Sequence, residues 1–154
     1  MCFPTHSCES ALIIIGVQTA QHFAQISHAS SGGGTGSVPL TDQGSGNEWT
    51  GSISVGTTPK PFVIDFDIGS SDLWIPSSKC SVKSCSGKHK YDASESSTSA
   101  RQAGTFSIEY LEGSNLSGDI YTDTVSVGGI KVTNQYLASA TQLSSDFTES
   151  ANDG

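Results

Sequence analysis

Apolar and polar residues alternate one by one in short runs along this chain, and glycine or proline interrupts each run. Ile53 and Val55 flank Ser54 and stop at Gly56. Phe62, Ile64 and Phe66 fall on one side of a strand, and Val63, Asp65 and Asp67 on the other, because successive strand side chains point to opposite faces. Phe106, Ile108 and Tyr110 repeat the pattern. An amphipathic helix needs apolar residues three and four apart. No segment of ordinary helix length supplies that spacing, and no internal repeat is present. Short strands with frequent turn signals predict an all-β fold. Residues 86–104 are polar and Ser-rich and read as a loop with at most one helical turn. The run ending at Tyr110 is expected to turn over 111–118 and return over 119–127. Val127-Gly128-Gly129-Ile130 predicts a tight turn of the primed type, since two glycines accept positive φ cheaply. A last strand is expected over 130–140.

At 154 residues the chain is one domain or most of one. Residues 1–30 read as a leader. Their apolar run, 11–17, is too short to cross a bilayer but has the size of a signal core. A signal begins with positive charge, and residues 1–10 hold no Lys or Arg, so a degraded signal segment is expected. Residues 31–37 read as a Gly/Ser linker, and 38–154 as the folded part, with structure starting near Val38. The net charge is −8, and the seven basic residues are scattered without a basic face, which argues against nucleic acid as a partner. No other stretch is long and apolar enough to be transmembrane, and no membrane partner is expected. An acidic surface suits work at low pH, where protonation relieves self-repulsion.

Asp67 stands in an unusual frame: Phe62-Val63-Ile64-Asp65-Phe66-Asp67-Ile68-Gly69-Ser70-Ser71-Asp72-Leu73-Trp74-Ile75-Pro76. An Asp followed by X-Gly is by itself an ordinary turn. Here Gly69 permits a close backbone approach, and Ser70 can orient the carboxylate with its hydroxyl. Trp74 and Ile75 bring apolar bulk, which raises a carboxyl pKa. That combination suits a carboxyl that holds or shares a proton. Asp65-X-Asp67-X-Gly69 also matches the start of a calcium loop, but Ser70 and Pro76 occupy positions that need Gly and Glu, and no helices flank it. No metal and no cofactor are expected. His6, His22, His28 and His89 lie in leader or polar loop, with no Gly-X-Ser-X-Gly elbow. The glycines of 32–36 lack the Gly-Lys-Ser/Thr of a phosphate loop. Cys80 and Cys85 are separated by four polar-loop residues; they are either a short disulfide, as in an oxidising compartment, or two free thiols.

Taken in order, these segments resemble the N-terminal lobe of the pepsin-like aspartic endopeptidases, above all the secreted fungal ones. Val38-Pro39-Leu40-Thr41 is similar to the mature start, and residues 49–58 to the first hairpin. Residues 66–77 resemble the catalytic loop, residues 91–98 the following surface segment, residues 106–114 the flap strand and tip, and residues 119–125 the returning strand. The resemblance implies a partial lobe of a bilobal acid protease fold, a polypeptide substrate, and a secreted or vacuolar protein. It makes Asp67 one of two catalytic aspartates and Ser70 a hydrogen-bond donor to it. It makes Tyr110 the flap tyrosine over Trp74, Gly113 and Ser114 the flap tip beside bound peptide, and Cys80–Cys85 a disulfide. It also implies general acid–base hydrolysis by two carboxyls sharing one proton, for which pepsin is the standard worked case.

The chain departs from that pattern in four ways. It has no second Asp-Thr/Ser-Gly, since Asp153-Gly154 is the only later Asp-Gly and stands at the end. The second lobe is therefore expected to be missing and the chain inactive alone, with an exposed edge and a marginal fold. Ile68 replaces the usual Thr or Ser, losing a hydroxyl that bonds the opposite loop; an unpaired buried partner costs about 1–3 kcal/mol. Leu111 and Glu112 follow Tyr110 where a glycine is usual, and Asn115-Leu116-Ser117 forms a glycosylation tripeptide that carries no functional weight as sequence alone. No propeptide is evident. An aspartic endopeptidase by descent is the expected function. The alternatives are a non-catalytic half-lobe that binds peptide or protein, and a homodimer that supplies Asp67 twice, which Ile68 disfavours.

Overall fold

The computed structural model describes residues 13–18, 23–28, 35–44, 46, 48–67, 69–148 and 150–154. Strands β1 (Ile13–Gln18), β2 (Phe23–His28) and β3 (Thr35–Pro39) form an antiparallel sheet in that order. Strand structure therefore begins well ahead of Val38, within the stretches read as leader and linker. Ile13, Ile14, Ile15 and Val17 are β-branched residues that favour the extended state. Thr35 and Ser37 of the expected linker pair with Ser27 and Gln25. Residues 1–12, 19–22 and 29–34, including Cys2, Cys8, His6 and His22, lie outside the described residues.

A second sheet holds seven strands: β4 (Thr41–Asp42), β5 (Trp49–Val55), β6 (Lys60–Asp65), β7 (Trp74–Pro76), β8 (Ala100–Glu109), β9 (Asn115–Val127) and β10 (Ile130–Leu143). Its path is β4-β5-β9-β10-β7, with β6 paired to β5 and β8 paired to β9. Every pairing is antiparallel except that of β7 with β10. The all-β expectation holds, and the loop before β8 contains only the short 3-10 turn Ala93–Glu95, capped by Asp92.

Two turns show what the glycines do. Gly128 and Gly129 have φ of 56° and 85°, as the primed turn requires. Gly118, expected in a long hairpin tip, instead sits inside β9 opposite Phe106 and Ala140. A Cβ there would collide with the Ser139 carbonyl, so this glycine serves a close strand approach. The tip is consequently short. The Tyr110 N–H donates to Ser114 O at 2.8 Å and the Gly113 N–H to Tyr110 O at 2.9 Å.

The seven-stranded sheet separates two apolar clusters. One gathers Leu40, Ile53, Val55, Phe62, Phe66, Ile75, Tyr91, Val125 and Leu137. The other gathers Trp74, the Cys80–Cys85 pair, Phe106, Leu116, Ile120, Ala138 and Leu143. Neighbours Trp74 and Ile75, or Leu137 and Ala138, go to opposite clusters because strand side chains alternate. Phe62 and Ile75 are fully buried, each worth roughly 2–3 kcal/mol of transfer free energy.

One carboxylate lies inside the first cluster. Asp123 is wholly buried and accepts from Tyr91 Oη at 2.8 Å, Ser96 Oγ at 2.8 Å, Thr98 Oγ1 at 2.6 Å and the Thr124 N–H at 2.7 Å. Four donors replace the water it lost, and the network ties the 91–98 loop to β9. Burial, opposed by the Ser99 contact and reinforced by Asp123, pushes the Tyr91 phenol up. Asp123→Ala would leave three hydroxyls and an amide without their acceptor. We expect it to lose about 2–4 kcal/mol, read as a lowered urea midpoint with an unchanged slope.

Candidate active site

β6 ends at Asp65, and Phe66 continues its direction: the Phe66 N–H donates to Trp49 O at 2.9 Å while its ring is buried. Alternation then turns Asp67 to the opposite, exposed side. Asp67 Oδ1 accepts from the Gly69 N–H at 2.7 Å, closing an Asx turn. A Cβ on residue 69 would stand 3.1 Å from that oxygen, tighter than an ordinary contact, so a side chain there would crowd the carboxylate. Among the described residues the Ser70 hydroxyl does not make its expected bond to Asp67, and the Gly69 amide is the donor to that carboxylate. Ile68 lies outside the described residues.

Trp74 opens β7 from beneath the β8–β9 hairpin. Its indole N–H donates to Tyr110 Oη at 3.1 Å. Phe147 packs edge-on against both rings, with centroids 5.1 Å from Trp74 and 5.9 Å from Tyr110. Burial pushes the Tyr110 phenol up against the opposing Trp74 bond, and the charges of Asp67, Asp72 and Glu112 add to the rise. At the tip Gly113 has φ of 94° and is exposed, whereas Ser114 is buried and donates to Glu112 Oε1 at 2.7 Å. Ser114 therefore faces inward, and Leu111 is the fully exposed apolar residue of the tip. Cys80 and Cys85 form a disulfide that closes the loop after β7.

Two features escaped the reading of the sequence. Phe147 lies in polar surroundings, and nothing in its spacing signals the Trp74–Tyr110 pair. The second is the brace on the free edge of β6. Val63 and Asp65 point their amides away from β5, and there the Asp153 N–H donates to Val63 O and the Asp65 N–H to Gly154 O, both at 2.6 Å. The buried Asp153 carboxylate accepts from the Val63 N–H at 2.9 Å and the His89 N–H at 2.7 Å, and its Oδ2 lies 3.0 Å from His89 Nδ1. Lys88 Nζ donates to the Ser150 and Asn152 carbonyls; burial pushes its pKa down, and the charge of Asp153 opposes the fall. A Cβ on Gly154 would overlap the Trp74 carbonyl. The Asp153-Gly154 pair was the available signal, since such a pair marks this place in the resembled lobe. Among the described residues no group of three or more His, Cys, Asp or Glu gathers as for a metal, and no helix is long and apolar enough to cross a membrane.

Comparison with known proteins agrees with this geometry. Residues 48–154 match the family model described as eukaryotic aspartyl protease. The chain is 47% identical over 120 residues to an aspartic protease of Phaffia rhodozyma, covering 78% of this chain and 29% of that one. It is 45% identical over 121 residues to rhizopuspepsin-4 of Rhizopus niveus, covering 78% and 30%, and 48% identical over 98 residues to endothiapepsin of Cryphonectria parasitica, covering 63% and 23%. An all-β lobe carrying one aspartate loop beneath a tyrosine-bearing hairpin defines a pepsin-like acid protease lobe. The chain belongs to the eukaryotic aspartyl protease family, and it spans about three-tenths of the length of the first two of these relatives.

Asp65 supplies a test of the loop's electrostatics. Burial raises its pKa above the ordinary 3.8; the Trp49 amide opposes this, and Glu48 and Asp67 reinforce it. The folded state then binds more protons than the unfolded state, so stability from this group is present at acid pH and is lost as pH rises through the folded midpoint. Asp65→Asn keeps the Trp49 acceptor without the charge. Its stability advantage over wild type should be greatest at neutral pH and should shrink as pH falls toward 3.8, followed by urea midpoints across that range.

Proposed function

We propose that this chain supplies one lobe of a secreted or vacuolar aspartic endopeptidase that acts on polypeptides, with Asp67 as one of its two catalytic carboxyls. The observation that carries the reading is the hydrogen bond from Trp74, on the strand that follows the Asp67 turn, to Tyr110 of the β8–β9 hairpin, which ties that hairpin to the aspartate loop. Asp67 lies exposed at the end of a strand, where a substrate carbonyl and a water can reach it. In the reaction it shares one proton with a second carboxyl, because two close charges cannot both ionise. The ionised partner takes a proton from water as it attacks the peptide carbonyl, and the protonated partner donates to the carbonyl oxygen. Tyr110 and the hairpin cover the peptide and exclude bulk water.

The sequence holds one such loop, so the second carboxyl is assigned to a complementary lobe. The chain alone should not cleave denatured protein at about pH 4, where one of two paired carboxyls is protonated. Co-folded with the second lobe of a pepsin-like relative, it should cleave, and Asp67→Asn should reduce that activity on the order of 10²–10⁴-fold, the range of lost acid–base catalysis. An unchanged rate in the Asn variant would remove Asp67 from the mechanism. Cleavage by the chain alone that Asp67→Asn abolishes would instead support a dyad built from two copies.

A further inference from the structure

We propose that Asn115 is an N-glycosylation site and that the hairpin over the active site carries an oligosaccharide on its solvent face. Of the four asparagines in the sequence, only Asn115 is followed by X-Ser/Thr. The tripeptide gains meaning from its place in the sheet. Asn115 opens β9, where alternation sends Leu116 into the core at 2% exposure and puts the exposed Asn115 and the half-buried Ser117 on the opposite face. Their cross-strand neighbours on that face are Glu109 and Ser107 of β8 and Gln142 of β10, all exposed. No aromatic or cationic side chain stands among those neighbours, so the face is open and polar, as a bulky hydrated modification requires.

The local hydrogen bonds fit the same reading. The Asn115 backbone is fixed: its N–H donates to Ser144 Oγ at 3.2 Å and its carbonyl accepts from the Ser144 N–H at 2.9 Å. Its side-chain Nδ2 makes one long contact, to Gly113 O at 3.3 Å. A glycosylated amide keeps one N–H, so that contact survives modification. Among the described residues the Ser117 hydroxyl makes no hydrogen bond, and its carbonyl accepts from Thr141 Oγ1 at 3.4 Å. The co-reactant is a polyprenyl-diphosphate-linked oligosaccharide. Asn115 Nδ2 attacks the anomeric carbon, the new N–C bond forms as the C–O bond to diphosphate breaks, polyprenyl diphosphate leaves with the electron pair, and one amide proton passes to a base of the transferase. The transfer occurs in the secretory lumen, so the inference rests on the secreted or vacuolar reading above, which the Cys80–Cys85 disulfide also favours.

The test is translation of the full chain with endoplasmic-reticulum microsomes, once as it stands and once behind a cleavable signal. Protease protection identifies the translocated molecules. Signal-bearing wild type should gain the mass of one glycan, and peptide N-glycosidase should remove it and leave aspartate at position 115. Asn115→Gln and Ser117→Ala should each gain none, while Ser117→Thr should retain it. Protected wild type without added mass would overturn the site, as would a glycan on Asn115→Gln. The chain without the added signal reports on secretion separately: if it stays outside while the signal-bearing form is glycosylated, the localisation fails and the site stands.

Discussion

The loop that carries Asp67 is stretched between two strand ladders, and the site depends on both. At one end β6 pairs with β5 from Lys60 to Asp65. At the other, β7 lies parallel to Ala138, Ser139 and Ala140 of β10. The second ladder is only three residues long, yet it decides where Trp74 points. Small residues opposite β7 leave room for the indole on one face while Ile75 enters the core on the other. From that face Trp74 reaches Tyr110, and the hairpin takes its position over the loop. The Leu73 carbonyl, accepting from the Ala138 N–H at 2.8 Å, carries the ladder into the loop itself.

Two buried carboxylates secure the surroundings by different means. Asp123 is satisfied chiefly by hydroxyls from a surface loop, so it joins a segment with little regular structure to the central sheet. Asp153 is satisfied by two backbone amides and a histidine, and it holds the 150–154 segment on the free edge of β6. In each case a charge removed from water is tolerable because its lone pairs are met by donors already fixed in place. The result is a rigid floor under an exposed Asp67.

Much of this was legible in residue order. Alternation gave the faces of β5 and β6, the double glycine gave the β9–β10 turn, and the ordered segments around Asp67, Trp74 and Tyr110 gave the family. What failed to show were contacts that leave no period. Phe147 meets Trp74 across more than seventy positions of sequence. Gly118 looked like a turn residue because the same lack of a side chain serves a turn and a tight strand crossing. Ser70 was read as the donor to Asp67, whereas the donor the structure shows there is the Gly69 amide. The N-terminal strands were hidden for two reasons: a short apolar run over 11–17 reads as a signal core, and the serine- and glycine-rich stretch that becomes β3 reads as linker until a partner strand satisfies its backbone.

The Trp74–Tyr110 bond has a kinetic consequence. Releasing the Tyr110 side chain breaks one neutral hydrogen bond and its edge contact with Phe147, together about 1.5–2.5 kcal/mol. At that cost roughly one molecule in ten to one in a hundred has the Tyr110 ring free of Trp74 at any moment. Tyr110 is therefore a latch that rests closed. The rate at which the tyrosine lets go then sets how often the indole N–H of Trp74 is open to another partner.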